Sequence, residues 1–116
     1  MPEFTSERSQ RVLSELSPPL RSVCTAAIKH IDFSLIDGAR TTEQQQALFA
    51  EGKSTLDGVN SISKHQTIPG RPKSEAFDFI PAPFTTWEDR PLFTAYAYFF
   101  IGLAYDRGIE LISGLD

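Results

Sequence analysis

Between Lys53 and Lys73 the chain is rich in Gly, Ser, Pro, Asn and Lys and shows no apolar periodicity. No helix or strand pattern crosses this stretch, so it reads as one loop of ~20 residues. That constrains everything else, because only the flanking parts of a 116-residue chain remain to build a core. A loop this long in a small domain is usually functional or disordered. The flanks therefore carry the fold, and the loop is the first place to look for a site.

Upstream, Thr5 or Ser6 is placed to cap a first helix, with Val12, Leu13 and Leu16 at helical spacing. Pro18 and Pro19 end it or open the next. Leu20, Val23, Cys24, Ala27, Ile28 and Ile31 then mark one apolar face of a second helix. Phe33 to Ile36 reads as a short strand closed by the turn pair Asp37-Gly38. Thr41 or Thr42 caps a third helix, Glu43 to Glu51, which Gly52 stops.

Downstream of the loop, Ala76 to Ile80 reads as a strand apolar on both faces, ended by Pro81 and Pro83. A long helix is expected from about Thr86 to Arg107, stopped by Gly108. Ile109 to Ile112 is expected to begin a last strand. The order ααβαβαβ predicts an α+β fold, a small antiparallel sheet with flanking helices. The uncharged run Leu92 to Tyr105 is shorter than the ~20 residues that span a bilayer, so a core helix is expected and no membrane contact.

Composition narrows the function classes. A net charge of −4 with no basic stripe argues against binding nucleic acid. The one cysteine, Cys24, excludes an intramolecular disulfide and a multi-cysteine zinc site. The polar start MPEFTSERSQ lacks the apolar core of a signal peptide, so synthesis in the cytoplasm without secretory export is expected.

Three residues stand out as candidates for chemistry. Asp78 interrupts an apolar strand, where an ionised carboxylate is costly unless paired, hydrogen-bonded or bound to a metal. A strand-end Asp reaching solvent or a backbone amide is the simpler reading. His65 lies in the loop just before that strand, and a lone loop histidine is more often solvated. Together the two make a candidate metal pair, since zinc accepts imidazole nitrogen and carboxylate oxygen. Arg40, between a strand and a helix start, is either a surface cation or a bidentate clamp for a carboxylate or carbonyl.

The strings Phe33-Ser34-Leu35-Ile36-Asp37-Gly38-Ala39-Arg40-Thr41, Glu43-Gln44, Glu51-Gly52-Lys53-Ser54, Ser63-Lys64-His65 and Ala76-Phe77-Asp78 occur in that order. The sequence resembles the zinc peptidases that include D-alanyl-D-alanine carboxypeptidases, L-alanyl-D-glutamate endopeptidases and many phage endolysins. Phe4 to Ser9 also looks like the start of the phage branch. The resemblance implies a Hedgehog/D-alanyl-D-alanine-peptidase-like fold and hydrolysis of a bond in the peptidoglycan stem peptide, L-alanyl-D-glutamate by the closest likeness. It implies Zn2+ as cofactor with His65 and Asp78 as ligands, Ser63 beside the substrate, Arg40 contacting it, and Gln44 near the site. It also implies a monomer that gathers in the host cytoplasm before lysis and reaches the wall through a separate pore.

The pattern departs from the family in two places. Gln66 to Phe77 is a longer spacing between the metal His and Asp than the family commonly has, and Ser74 stands where it commonly has Gly. The surplus, roughly Ile68 to Lys73, is expected to bulge outward. The family also ends on an acid-x-Pro-His-like segment that supplies the catalytic acid and the last zinc ligand, and no such segment occurs here. His30 is expected to be structural or exposed, and Glu110 and Asp116 are out of context for catalysis. Two readings follow. One is a single peptidase domain without its C-terminal segment, inactive in this 116-residue form. The other is a non-catalytic relative that binds cell-wall peptide.

Overall fold

The computed structural model describes residues 4–83 and 86–112. Helix α1, Glu7–Glu15, starts where Ser6 Oγ accepts the Ser9 amide at 3.0 Å. Helix α2, Pro18–Ala27, follows almost at once, with Pro18 in its first turn where a missing N–H costs nothing. Leu20, Val23, Cys24 and Ala27 form its buried face, as their spacing predicts. Burial pushes the Cys24 thiol well up from its ordinary value, which keeps it protonated and unreactive.

Strand β1, Phe33–Asp37, pairs antiparallel with β2, Asp78–Pro81, in a two-stranded sheet. The register sets Phe33 opposite Pro81, Ser34 opposite Ile80 and Leu35 opposite Phe79. It then slips by one, so that Asp37, not Ile36, stands opposite Asp78. Ser9 of α1 is fully buried and its Oγ accepts the Leu35 amide at 3.1 Å, tying the first helix to the sheet.

Helix α3, Thr42–Ala50, opens on a full capping box: Thr41 Oγ1 accepts the Gln44 amide and Gln44 Oε1 accepts the Thr41 amide. Helix α4, Arg90–Asp106, starts later than the expected Thr86. Asp89 accepts the Leu92 amide at 3.2 Å as its cap. Pro91 then falls in the first turn, whereas a start at Thr86 would set its ring against a preceding helical carbonyl. Phe93, Ala97, Phe100 and Ala104 face inward. Phe100 is the hub of the core, with edge-to-face contacts to Phe33, Phe77 and Phe79 at centroid distances of 4.9, 5.3 and 4.9 Å.

The α+β fold and the small antiparallel sheet are as expected, with two corrections. Ile109 to Ile112 forms no strand within its described residues. Gly108 turns left-handed at φ 71°, and the Ile109 amide closes α4 by donating to the Ala104 carbonyl at 2.8 Å. The second strand begins at Asp78 and not at Ala76, because Ser74 Oγ accepts the Ala76 amide at 3.2 Å and holds that segment in a turn. No helix among the described residues is long and apolar enough to cross a membrane.

Candidate metal centre

The end of β1 approaches α1 closely. A Cβ on Gly38 would lie 3.0 Å from Val12 Cγ1 and 3.3 Å from a Glu15 carboxylate oxygen, so only glycine fits without displacement. Its bare carbonyl is thereby fixed, and it organises the site. Ser74 Oγ lies 3.1 Å from it and His65 Nδ1 lies 2.7 Å from it. A carbonyl can only accept, so Nδ1 carries the proton and the neutral ring presents its lone pair at Nε2.

His65 is held on every side. Its carbonyl accepts the Arg40 amide at 2.8 Å, and the Arg40 carbonyl accepts the Thr67 amide at 2.8 Å. Its own amide donates to Ser63 Oγ at 3.2 Å. The side chain is 13% exposed, and Nε2 points at Asp78 Oδ2, 3.6 Å away. Burial acts to lower the His65 imidazole, but the Asp78 carboxylate and the Gly38 carbonyl outweigh it and hold the group above its ordinary value, against a smaller opposing effect of Arg40. Burial acts to raise Asp78, but His65 and Arg40 outweigh it and hold the carboxyl below the usual range.

Asp78 differs from the sequence expectation in one respect. The strand is not buried on both faces: Phe77 and Phe79 turn into the aromatic cluster, while the Asp78 side chain is 50% exposed on the other face. Simple period-two alternation accounts for this. Asp37 joins the pair. One donor atom each of Asp37, His65 and Asp78 lie within 4.8 Å of one another.

Arg40 is bound from two sides. Its Nη2 and Nε donate to Asp37 Oδ2 at 3.0 and 3.3 Å, and Nη1 donates to Gln45 Oε1 at 3.0 Å. The structure does not bring Gln44 to this cluster, because its side chain is spent on the helix cap. Its neighbour Gln45 is the glutamine that turns inward. Gln45 is fully buried, and its Nε2 donates to Ser54 Oγ and the Leu56 carbonyl. The Thr-x-x-Gln spacing was the signal that Gln44 would serve the cap.

A second buried glutamine, Gln66, donates to Thr42 Oγ1 at 2.9 Å and to the Gly58 carbonyl at 2.8 Å. Gly58, at φ 86°, lets the loop pass both glutamines; a Cβ there would meet the Gln45 side chain at 3.1 Å. The long loop is thus folded around polar side chains. Ser63, expected beside the substrate, is buried at 4% exposure and takes part in this scaffold.

The extra residues between His65 and Asp78 form a tight reversal, with Ile68 and Arg71 bonded to each other through both backbones. Arg71 reaches back to the turn that carries His65. Its Nη2 donates to the Ser63 and Gln66 carbonyls at 2.5 and 2.8 Å, and Nη1 pairs with Glu75 at 3.6 Å. Gly70 at the tip has nothing within 4 Å of a built Cβ. The surplus bulges outward while His65 and Asp78 converge.

His65 and Asp78 lie on the wall of a cleft of about 700 Å3 that runs along α4 past Phe79, Trp87, Phe93 and Ile101. Glu110, set aside from the sequence, lines the same cleft. His30 is exposed after α2 and packs against the Phe99 ring at 6.3 Å, in keeping with a structural or surface role. Asp116 lies outside the described residues.

A search of curated proteins finds no match. Against known protein families, the chain matches the phage L-alanyl-D-glutamate peptidase over residues 2–116. The match covers both strands, the loop and the convergent His65 and Asp78, and the chain belongs to the phage L-alanyl-D-glutamate peptidase family.

Proposed function

We propose that this chain is a zinc-dependent peptidoglycan peptidase that cuts the stem peptide between L-alanine and D-glutamate, with His65 and Asp78 holding the metal. The spacing of these two side chains is the observation that carries the reading. At 3.6 Å it is too long for a good hydrogen bond. Two ligands each ~2.0–2.2 Å from one tetrahedral ion stand about 3.3–3.6 Å apart. The imidazole is already in the tautomer a metal needs, fixed by Gly38, and such a carbonyl partner is typical of ligating histidines.

Bound zinc would polarise the scissile carbonyl and lower the pKa of a coordinated water toward ~7. The protein's own part is placement. The Gly38 carbonyl and the Ser63 hydroxyl keep the His65 ring and backbone from turning. Arg40 is pre-set by Asp37 and Gln45 with 20% of its side chain exposed, so a substrate carbonyl meets a guanidinium already ordered. The apolar cleft beside the pair shields the reacting bond from water.

The test is digestion of purified peptidoglycan with the zinc-loaded protein, followed by mass analysis of the fragments. New peptides that begin at D-glutamate, absent with His65→Ala, are expected. Fragments cut at another bond would overturn the assignment of the substrate bond. Zinc-dependent retention on the peptidoglycan without new fragments would favour a relative that binds cell-wall peptide and does not cut it.

A further inference from the structure

We propose that Lys64 is a specificity-determining residue: its ammonium takes the free carboxylate of the glutamate on the amine side of the scissile bond, so that the protein tells a glutamate there from its amide. The inference rests on the peptidase reading and names what the cleft recognises beside His65 and Asp78.

The substrate's own chemistry calls for a cation at this place. Glutamate has two carboxyl groups, and only one of them carries the stem peptide onward. The other stays free, a few bonds from the scissile nitrogen. A substrate with its scissile carbonyl at His65 and Asp78 therefore brings a negative charge into the adjoining cleft. Glu75, Asp78 and Glu110 line that cleft, so it repels such a charge unless a cation answers it. Lys64 lines the same cleft, and among the described residues it is the one basic side chain besides His65 that does.

Lys64 is built into the turn that carries His65. Its carbonyl accepts the Glu75 amide at 2.8 Å, and the His65 carbonyl accepts the Arg40 amide at 2.8 Å. These bonds hold the stem of Lys64 in place beside the proposed ligand. Ser63 before it is buried and His65 after it is half-buried, whereas Lys64 is exposed. The neighbouring cations are already engaged. Arg40 pairs with Asp37 at 3.0 Å and Arg71 with Glu75 at 3.6 Å. Of the other lysines in the long loop, Lys53 pairs with Glu51 at 3.2 Å and Lys73 donates to the Ser14 carbonyl at 3.0 Å. Lys64 forms no ion pair with any of the described residues. An ammonium on a flexible four-carbon stem offers three donors and can turn to meet a carboxylate. Arg40 and Lys64 then divide the work, the ordered guanidinium facing the carbonyl and the ammonium facing the carboxylate.

The test is calorimetric binding of two stem-peptide analogues to the zinc-loaded protein, both with a ketomethylene group in place of the scissile amide. One keeps the free glutamate carboxylate. The other carries it as the primary amide, which has nearly the same shape and no charge. The unaltered protein is expected to bind the acid about fivefold more tightly, the upper end for an exposed charged pair. Lys64→Met is expected to weaken binding of the acid alone and bring the two affinities within about twofold. Lys64→Arg should keep the preference for the acid, and Lys64→Glu should reverse it. Partial unfolding scales both affinities alike, so their ratio reads the contact itself. Equal affinity of the unaltered protein for the two analogues, or a preference that survives in Lys64→Met, would overturn the proposal and leave the peptidase reading standing. Binding of neither analogue would overturn both.

Discussion

Gln45, fully buried, accepts a hydrogen bond from Arg40 Nη1 at 3.0 Å. The same side chain donates to Ser54 and to the Leu56 carbonyl. One residue thus links helix α3, the start of the long loop and the guanidinium at the site. Its neighbour Gln44 faces outward and closes the capping box.

The two glutamines should therefore respond differently to substitution. Gln45→Ala empties a fully buried site and removes the partner of half-buried Arg40 and Ser54 groups, and should destabilise by about 1–3 kcal/mol. Gln44→Ala loses one half of a cap and should cost about 1 kcal/mol or less. Urea unfolding of both variants checks this, and equal losses would contradict the assignment of Gln45 to the site.

Arg71 joins the inserted reversal to the turn that carries His65, through the Ser63 and Gln66 carbonyls. Arg71→Ala should loosen that turn and weaken zinc binding by about 10-fold, as loss of an outer-shell support does. A Cβ added to Gly70 at the tip would meet nothing within 4 Å. An inserted Ser after Gly70 should leave zinc affinity within about twofold, since exposed loop tips tolerate insertion. Competition titration of both variants is the check, and an unchanged affinity in Arg71→Ala would show that the insertion plays no part.

The His65–Asp78 pair should give the metal-free protein a pH dependence with a defined sign. His65 is raised on folding, so its contribution is complete below the ordinary histidine value of ~6.5 and is lost as pH climbs through the folded value. Asp78 is lowered, so its contribution is present above ~3.9 and is lost as pH falls through its folded value. Both act together between about pH 4 and 6.5. Zinc needs the unprotonated imidazole, so the stabilisation it adds should shrink as pH falls below the raised His65 value. Melting curves against pH, with and without zinc and compared with His65→Ala, test this. Identical pH profiles for the metal-free protein and His65→Ala would contradict it.

Much of the fold was legible in the sequence, because local signals decided it. The apolar spacing from Leu20 to Ile28 and the caps at Ser6 and Thr41 specify their helices within a few residues. The convergence of His65 and Asp78 was legible through family wording, whereas the apolar Ala76 and Ile80, which share the face of Asp78, make that carboxylate read as buried although period two turns it outward. Asp37 reads as a turn residue in the sequence because its place opposite Asp78 depends on a slip in register between distant strands, and a shift of one residue exchanges the faces of a strand. Arg71 and Gln66 were invisible for a similar reason. Their partners are carbonyls and hydroxyls of the loop itself, which leave no periodic trace in sequence. Ile109 to Ile112 has strand composition, but the end of α4 claims the Ile109 amide first.

The central claim is that His65 and Asp78 hold one zinc ion, and equilibrium binding tests it most directly. The chelator-stripped protein, titrated with zinc and assayed for bound metal after gel filtration, should take up one ion per chain. His65→Ala and Asp78→Asn should each retain essentially none while keeping a native circular dichroism spectrum. A protein that takes up no zinc, or folded variants that bind it as tightly as the unaltered chain, would contradict the account.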